Sequence, residues 1–261
     1  MASKAEVNAQ LTERLRELHL PAFQECFSEM ADRARKSSLS YERFLLELAD
    51  REAEARRQNR TERLLRASKL PPGKTFETFE MARLPARVSS QVKVLSDGAF
   101  LERAENVLAF GNPGSGKSHL LSAIGHELVY QGKRVLFTPC SLLVQDLLVA
   151  KKELRLAKAL RKLGRFDALV VDDIGYVQHD RDEMEVLFTL LADRYERKSV
   201  MLTSNLPFSK WELIFKDPMT TAAAIDRLVH HSVILELNIK SYRLEHSKSA
   251  RKKAEQQEQD E

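Results

Sequence analysis

The side chains best suited to chemistry fall in a few short stretches. Gly111-Asn112-Pro113-Gly114-Ser115-Gly116-Lys117-Ser118 fits the pattern GxxxxGK[ST], with His119 directly after it. Glycines at 111, 114 and 116 let the backbone fold back and aim successive N–H groups at an anion, and a helix starting there adds the positive end of its dipole. The loop is expected to hold a polyphosphate, with Lys117 reaching the β- and γ-phosphates and the Ser118 hydroxyl ligating Mg²⁺. Downstream, the apolar run Ala168-Leu169-Val170-Val171 ends in Asp172-Asp173. Carboxylates at the carboxyl end of a parallel strand face ligands bound there. Asp172 is then the candidate for holding Mg²⁺ through the ion's water shell, and Asp173 the candidate that orients and polarises an attacking water. Asn205, which follows Val200-Met201-Leu202-Thr203-Ser204, either hydrogen-bonds the γ-phosphate or the water, or turns the chain before Pro207. Arg227 either pairs with its neighbour Asp226 or projects from the subunit to complete a neighbour's site.

Such residues need strands that end together and helices that follow them. Val107-Leu108-Ala109-Phe110 leads into the glycine loop, and Leu120, Leu121, Ile124 and Leu128 give the stripe of the next helix, with Gly132 as its C-cap. Val135-Leu136-Phe137 reads as a second strand, followed by a helix capped by Ser141. The runs ending at Val171 and Thr203 supply two more strands, separated by a helix from Met184 to Arg197. A helix from Thr220 then precedes a fifth strand, Val233 to Leu237. The alternation predicts an α/β core. Too little chain follows Leu237 for a helical lid, and the polar stretch from 250 to 261 is expected to be disordered.

The segment before the core reads differently. Three helical stretches, over 7–20, around Phe23 to Ala34, and from an N-cap at Ser40, make a small all-α domain over 1–69. Leu70-Pro71-Pro72-Gly73-Lys74 breaks the pattern and divides it from an ATPase core over 70–249. Phe76 and Phe79 either flank a nucleotide base or pack under the sheet. Val88 to Phe100 reads as a further helix, ended by Asp97-Gly98.

Net charge is only +4, with 31% charged residues, so affinity for nucleic acid must come from placement. Arg51, Arg56, Arg57, Arg60, Arg63 and Arg66 run along the third helix with few acids between them. Arginine suits phosphate contacts, so this run is expected to be a DNA arm, with Arg56, Arg57, Arg60 and Arg63 as contacts. Lys151, Arg155, Lys158, Lys162 and Arg165 recur at spacings of four, three, four and three, which on one helix would put all five on one face. Like charges so spaced repel unless a polyanion neutralises them, which again favours DNA. Cys26 and Cys140 lack CxxC spacing, and the chain shows neither a signal core nor eighteen successive apolar residues, so a reducing cytoplasm is expected.

With the phosphate loop, the Asp-Asp strand, the Thr-Ser-Asn strand end and Ile225-Asp226-Arg227 in view, the core resembles an AAA+ ATPase of the DnaC-like helicase-loader group. The whole chain is more similar to the IstB-type transposition helper ATPases of bacterial insertion sequences. Leu20-Pro21-Ala22-Phe23, the stretch from Leu39 to Leu45, Leu70-Pro71 and Ser241-Tyr242-Arg243-Leu244 fit that family, over about residues 10 to 250. The resemblance implies a five-stranded parallel sheet between helices, ATP with Mg²⁺, and ATP-driven multimers with nucleotide at subunit interfaces. It also implies largely nonspecific duplex DNA and a transposase as partners. It makes Lys117 and Ser118 the phosphate-loop pair, Asp172 and Asp173 the Walker B acids, Asn205 sensor one and Arg227 the arginine finger acting in trans. Arg243 would be a sensor-two arginine, although no lid carries it. Most AAA+ members have Glu where this chain has Asp173, which implies slow basal hydrolysis. The alternative function is a replicative helicase loader of the DnaC type. A metabolic kinase would need its own acid or base and a lid, and the sequence offers neither.

Overall fold

A computed structural model describes residues 3–174, 181–211, 218–239 and 241–242. Arg243 and the 250–261 tail lie outside them. The chain forms two compact units, residues 1–63 and 64–261.

The first unit holds α1 (Lys4–Glu17), α2 (Pro21–Lys36) and α3 (Tyr41–Ser68) as far as Arg63. Ser3 and Glu6 close a reciprocal capping box on α1. α2 begins with proline at its first position and has no cap of its own. Glu52 of α3 serves instead, accepting from the N–H groups of Ala22 at 2.9 Å and Phe23 at 3.3 Å. Ser40 caps α3 as expected, accepting from the Arg43 N–H. Leu15, Phe27 and Leu48 form the small buried core. The arginine run lies on α3, which is helical throughout.

In the second unit, β1 (Asn106–Gly111), β2 (Val135–Pro139), β3 (Ala168–Asp172), β4 (Ser199–Ser204) and β5 (Ser232–Leu237) form one parallel sheet in the order β2-β3-β4-β1-β5. All five expected strands are present. Strand residues alternate between two cores, as a period of two requires. Val107, Ala109, Val170 and Met201 face α4 (Ala86–Ser96) and α5 (Lys117–Tyr130). Leu108, Leu169, Val171 and Leu202 face the other layer, of α6 (Cys140–Lys152), α7 (Leu156–Leu163), α8 (Arg181–Arg194) and α9 (Pro218–Val229). Covered on both faces, the strands read as continuous apolar runs.

Several helix ends differ from expectation. α4 stops at Ser96, before Phe100. α6 starts at Cys140 with Pro139 in the N-cap position, its φ of −59° and ψ of 140° supplying the extended geometry, so Ser141 is not the cap. The expected helix through Arg165 is broken. Leu154 stands at φ 56°, the Arg155 N–H reaches back to Ala150 O at 2.7 Å, and the Leu154 N–H to Lys151 O at 3.0 Å. That is a Schellman closure with leucine where glycine is usual, and it ends α6 before α7 begins.

Candidate functional site

The sheet order sets β1, β4 and β3 side by side, so their carboxyl ends meet. Opposite Phe110 lies Ser204, and opposite Val171 lies Leu202, which brings Asp172 level with Thr203. This edge carries the glycine loop, the aspartate pair and Asn205.

The loop is tightly cradled. Gly114 (φ 80°) and Gly116 (φ 91°) hold left-handed backbone. A Cβ on Gly111 would strike the Leu237 carbonyl oxygen, one on Gly114 would strike Ser241 Oγ, and one on Gly116 would sit 3.1 Å from the Phe79 ring. Gly116 offers no side-chain cap to α5, so the first-turn N–H groups stay directed at the loop. Lys117, only 8% exposed, donates to Gly111 O at 2.8 Å and Asn112 O at 3.0 Å. These are carbonyls of the loop itself, so its ammonium already sits within the cradle. Asn112 and Pro113 lie exposed at the loop's rim.

A cavity of about 260 Å³ opens over Gly114 to His119 and is walled by Lys74, Phe79, Arg83, Ile239 and Tyr242. Phe79 therefore meets the cavity, while Phe76 packs against the core beneath α4 and α5. The Tyr242 N–H donates to Gly114 O at 3.0 Å, and the Arg83 guanidinium lies over the Tyr242 ring.

The segment from Leu70 to Phe79 is strapped along α5. His119 Nε2 lies 3.0 Å from Thr75 O and 3.1 Å from Thr78 Oγ1, and His126 Nε2 lies 3.1 Å from Pro71 O. A carbonyl only accepts, so both imidazoles carry their proton on Nε2. Between them Leu70 fills the space a side chain on Gly125 would need. Burial and the Lys74 charge push the His119 pKa down. His119 thus positions the cavity wall, and sequence reasoning missed His126 and the strap.

Thr203, 1% exposed, organises the carboxylates. Its Oγ1 donates to Asp172 Oδ1 at 2.7 Å and accepts from the Asp173 N–H at 2.8 Å, while its carbonyl accepts from the Ile174 N–H. Asp173 is held at φ 66°, a costly conformation for a residue with a Cβ. Burial and the neighbouring Asp172 push its carboxyl above the usual range, against the pull of Lys117. Asn205 Oδ1 and Ser115 Oγ are buried without a hydrogen-bond partner among the described residues. These orphaned atoms, the glycine cradle and a carboxylate pair suit a nucleotide polyphosphate and its divalent ion.

The other candidates lie apart from this edge. Arg227 makes no ion pair with Asp226; its guanidinium donates to Ala223 O at 3.0 Å and stacks 4.7 Å over Phe188. It lines an open concavity of about 590 Å³ with Tyr195 and Asp226. The five basic residues from 151 to 165 do not share a helix face. Lys151 pairs with Glu185 at 2.8 Å and Asp182 at 3.4 Å, whereas Arg155, Lys158, Lys162 and Arg165 join Arg161 around an 830 Å³ groove between α6 and α7. This groove is larger than the cavity over the loop, but it carries neither the glycines nor the carboxylate pair. On α3, Arg56 bonds Glu52 and His19 O, both at 2.8 Å, Arg57 pairs with Glu54, and Arg63 donates to Asn59 O. Arg60 stands exposed on the same helix.

Fold and glycine loop together define an α/β AAA+ protein with a phosphate loop. The model of the IstB-like ATP binding protein family matches residues 13–250, and the chain belongs to that family. A Sinorhizobium fredii protein named for an insertion sequence and for ATP binding is 45% identical over 236 residues, 90% of this chain and 79% of that one. A Pseudomonas aeruginosa protein named for the insertion sequence IS21 and for ATP binding is 39% identical over 240 residues, 92% of this chain and 89% of that one. Among solved structures, the DnaC helicase loader superposes with a TM-score of 0.51 at 22% identity, over 65% of this chain and 98% of that one, a likeness of fold. Among the described residues no helix is long and apolar enough to cross a membrane.

Proposed function

We propose that this protein is an ATPase that helps DNA transposition in the cytoplasm: it assembles as a multimer on duplex DNA, recruits or stimulates a transposase, and resets by hydrolysing ATP. The observation that carries the reading is the Thr203 hydroxyl bonded to both Asp172 and Asp173 beside the phosphate loop. In this reading the loop N–H groups and Lys117 hold the β- and γ-phosphates, and Ser118 with Asp172 holds Mg²⁺. When bound, that ion neutralises charge building on the phosphates. Asp173 orients the attacking water and accepts its hydrogen bond, and Asn205 aims its amide at the water or the γ-phosphate. Arg227 completes the site of a neighbouring subunit, which requires its guanidinium to leave the Phe188 face. Family membership, and relatives named for insertion sequences, support transposition over helicase loading.

DNA contacts rest on Arg57, Arg60 and Arg63 of α3, with Arg56, and on the basic groove of Arg155, Lys158, Lys162 and Arg165; Lys151, paired with Asp182 and Glu185 of α8, would have to leave those partners to join them. Such contacts neutralise backbone phosphate and carry little sequence information, so affinity falls steeply with salt. The test is a mobility shift of a long nonspecific duplex with and without ATP, with Lys117→Ala as control. ATP-dependent, multi-subunit binding that the variant loses is the expected result. No binding in any nucleotide state would overturn the reading and favour a helicase loader.

A further inference from the structure

At the edge of the sheet opposite the phosphate loop, two turns bring together ligands that the ATPase reading does not use. Glu196 lies in the turn after α8, and His230 and His231 in the turn between α9 and β5. One ligand atom from each lies within 4.8 Å of the others. His231 Nε2 is 3.8 Å from Glu196 Oε1, and the two imidazole centroids are 4.3 Å apart. From these residues we infer a binding site for a divalent transition-metal ion of the zinc class, held by His230, His231 and Glu196 with water completing the shell.

Four observations support it. First, the donor set suits that ion: imidazole nitrogens and one carboxylate, where an all-oxygen set would suit Mg²⁺ or Ca²⁺. Second, the Tyr195 hydroxyl lies 3.2 Å from His230 Nδ1. With Nδ1 donating to the phenol, Nε2 keeps its lone pair for a metal and the ring is oriented. Third, both turns are pinned. The Asn106 N–H donates to His231 O at 2.7 Å, and its buried side chain bonds the carbonyl of Leu228 and the Val200 N–H. On the other side, the Arg197 and Lys198 N–H groups both donate to Arg194 O, and the Arg194 side chain, 2% exposed, donates to the carbonyls of Leu163, Phe166, Asp167 and Ser199. The ligands therefore come from fixed backbone, which lowers the cost of ordering them around an ion. Fourth, the local charge favours a dication. With both imidazoles in the neutral form that binds a metal, the Glu196 carboxylate leaves the set at −1. The six residues of β1 put about 20 Å between this site and the phosphate loop of the same chain, so the ion would clamp α8 to the α9–β5 turn without touching that loop.

The test is Zn²⁺ titration of the full chain without a histidine tag, followed by calorimetry and by the visible bands of Co²⁺ substituted for it. Wild-type protein and Lys117→Ala should each take up Zn²⁺ in the same one-site step. His230→Ala, His231→Ala and Glu196→Gln should each weaken that step at least tenfold, and Tyr195→Phe about tenfold through loss of ring orientation. Zn²⁺ should raise the melting temperature of the wild type and not of His231→Ala. Glu196, His230 and His231 are exposed and Tyr195→Phe removes one oxygen from a half-buried ring, so the variants should fold, and far-ultraviolet circular dichroism would verify it. Equal Zn²⁺ affinity in wild type and the His230→Ala/His231→Ala double variant would overturn the site, as would the absence of any step below millimolar Zn²⁺.

Discussion

Replacing Thr203 by valine removes one buried oxygen and keeps the side chain's shape. That oxygen makes a 2.7 Å bond to Asp172 Oδ1 and receives the Asp173 N–H at 2.8 Å. A hydrogen bond to an ionised carboxylate contributes about 1.5–3 kcal/mol and an amide left without its acceptor costs about 1 kcal/mol or more, so unfolding should become easier by about 3 kcal/mol. The catalytic consequence is separate. The bond to its N–H fixes Asp173 in left-handed backbone, and without it the carboxylate loses its aim. A shift on the order of 1 Å in a water-orienting group costs about a hundredfold in rate. The phosphate loop is untouched, so ATP affinity should stay near wild type. Thr203→Ser supplies the control, because it keeps the oxygen and loses only a methyl, worth about 1 kcal/mol. Urea unfolding, equilibrium nucleotide binding and steady-state hydrolysis, on all three proteins and with DNA present, measure each quantity. If Thr203→Val turned over as fast as Thr203→Ser, Thr203 would not organise the aspartates.

Asp173→Asn should abolish hydrolysis, retain ATP binding and raise the melting temperature. Burial and Asp172 raise the folded pKa of Asp173, so its ionised form costs stability above that value. The cost fades as pH falls through that raised value and is gone near the unfolded carboxylate value of about 3.9, so the variant's advantage at pH 7.5 should shrink toward pH 4. Leu154→Gly should stabilise the chain by about 1 kcal/mol, read as a higher urea midpoint at unchanged slope, because φ 56° suits glycine. Arg56→Ala should destabilise the N-terminal helices by about 1–2 kcal/mol, since Glu52 would lose a partner while still capping α2. Arg60→Ala should leave stability alone and reduce the slope of log affinity for DNA against log salt by about 0.9.

The strands and the phosphate loop were legible because their signals are local: apolar runs bounded by polar residues, and glycines at fixed offsets. What escaped depends on neighbours distant in sequence. Thr203 reads as an ordinary strand residue until the order β3-β4-β1 brings its hydroxyl between two aspartates. His126 and the strap go unread because the backbone carbonyls that the two imidazoles meet lie 44 and 55 residues earlier. Helix ends were hard for a further reason. His19, Ser38, Leu154 and Glu196 all take positive φ at the close of a helix or in the turn after it, where sequence rules look for glycine or asparagine. The basic stripe over 151–165 kept helical spacing straight through one such stop. The spacing was real and the helix was not continuous, so four cations came to a groove and Lys151 went to α8.

The strap has one more consequence, concerning chain length. Residues 69 to 79 are fastened by two imidazole N–H groups of α5, by Leu70 against Gly125, and by Phe76 and Phe79 packed on the core. None of these belongs to a strand or helix ladder. Detaching them breaks no regular element but exposes Leu70, Phe76 and Phe79, so the segment opens at lower free energy than the sheet and at higher free energy than a polar loop. Once detached, eleven residues extend to about 36–40 Å. A segment that now hugs one face of α5 is thus a folded reserve of tether, long enough to reach across a small domain. Phe79 lies at its end on Gly116, so paying out that tether would uncover the phosphate loop.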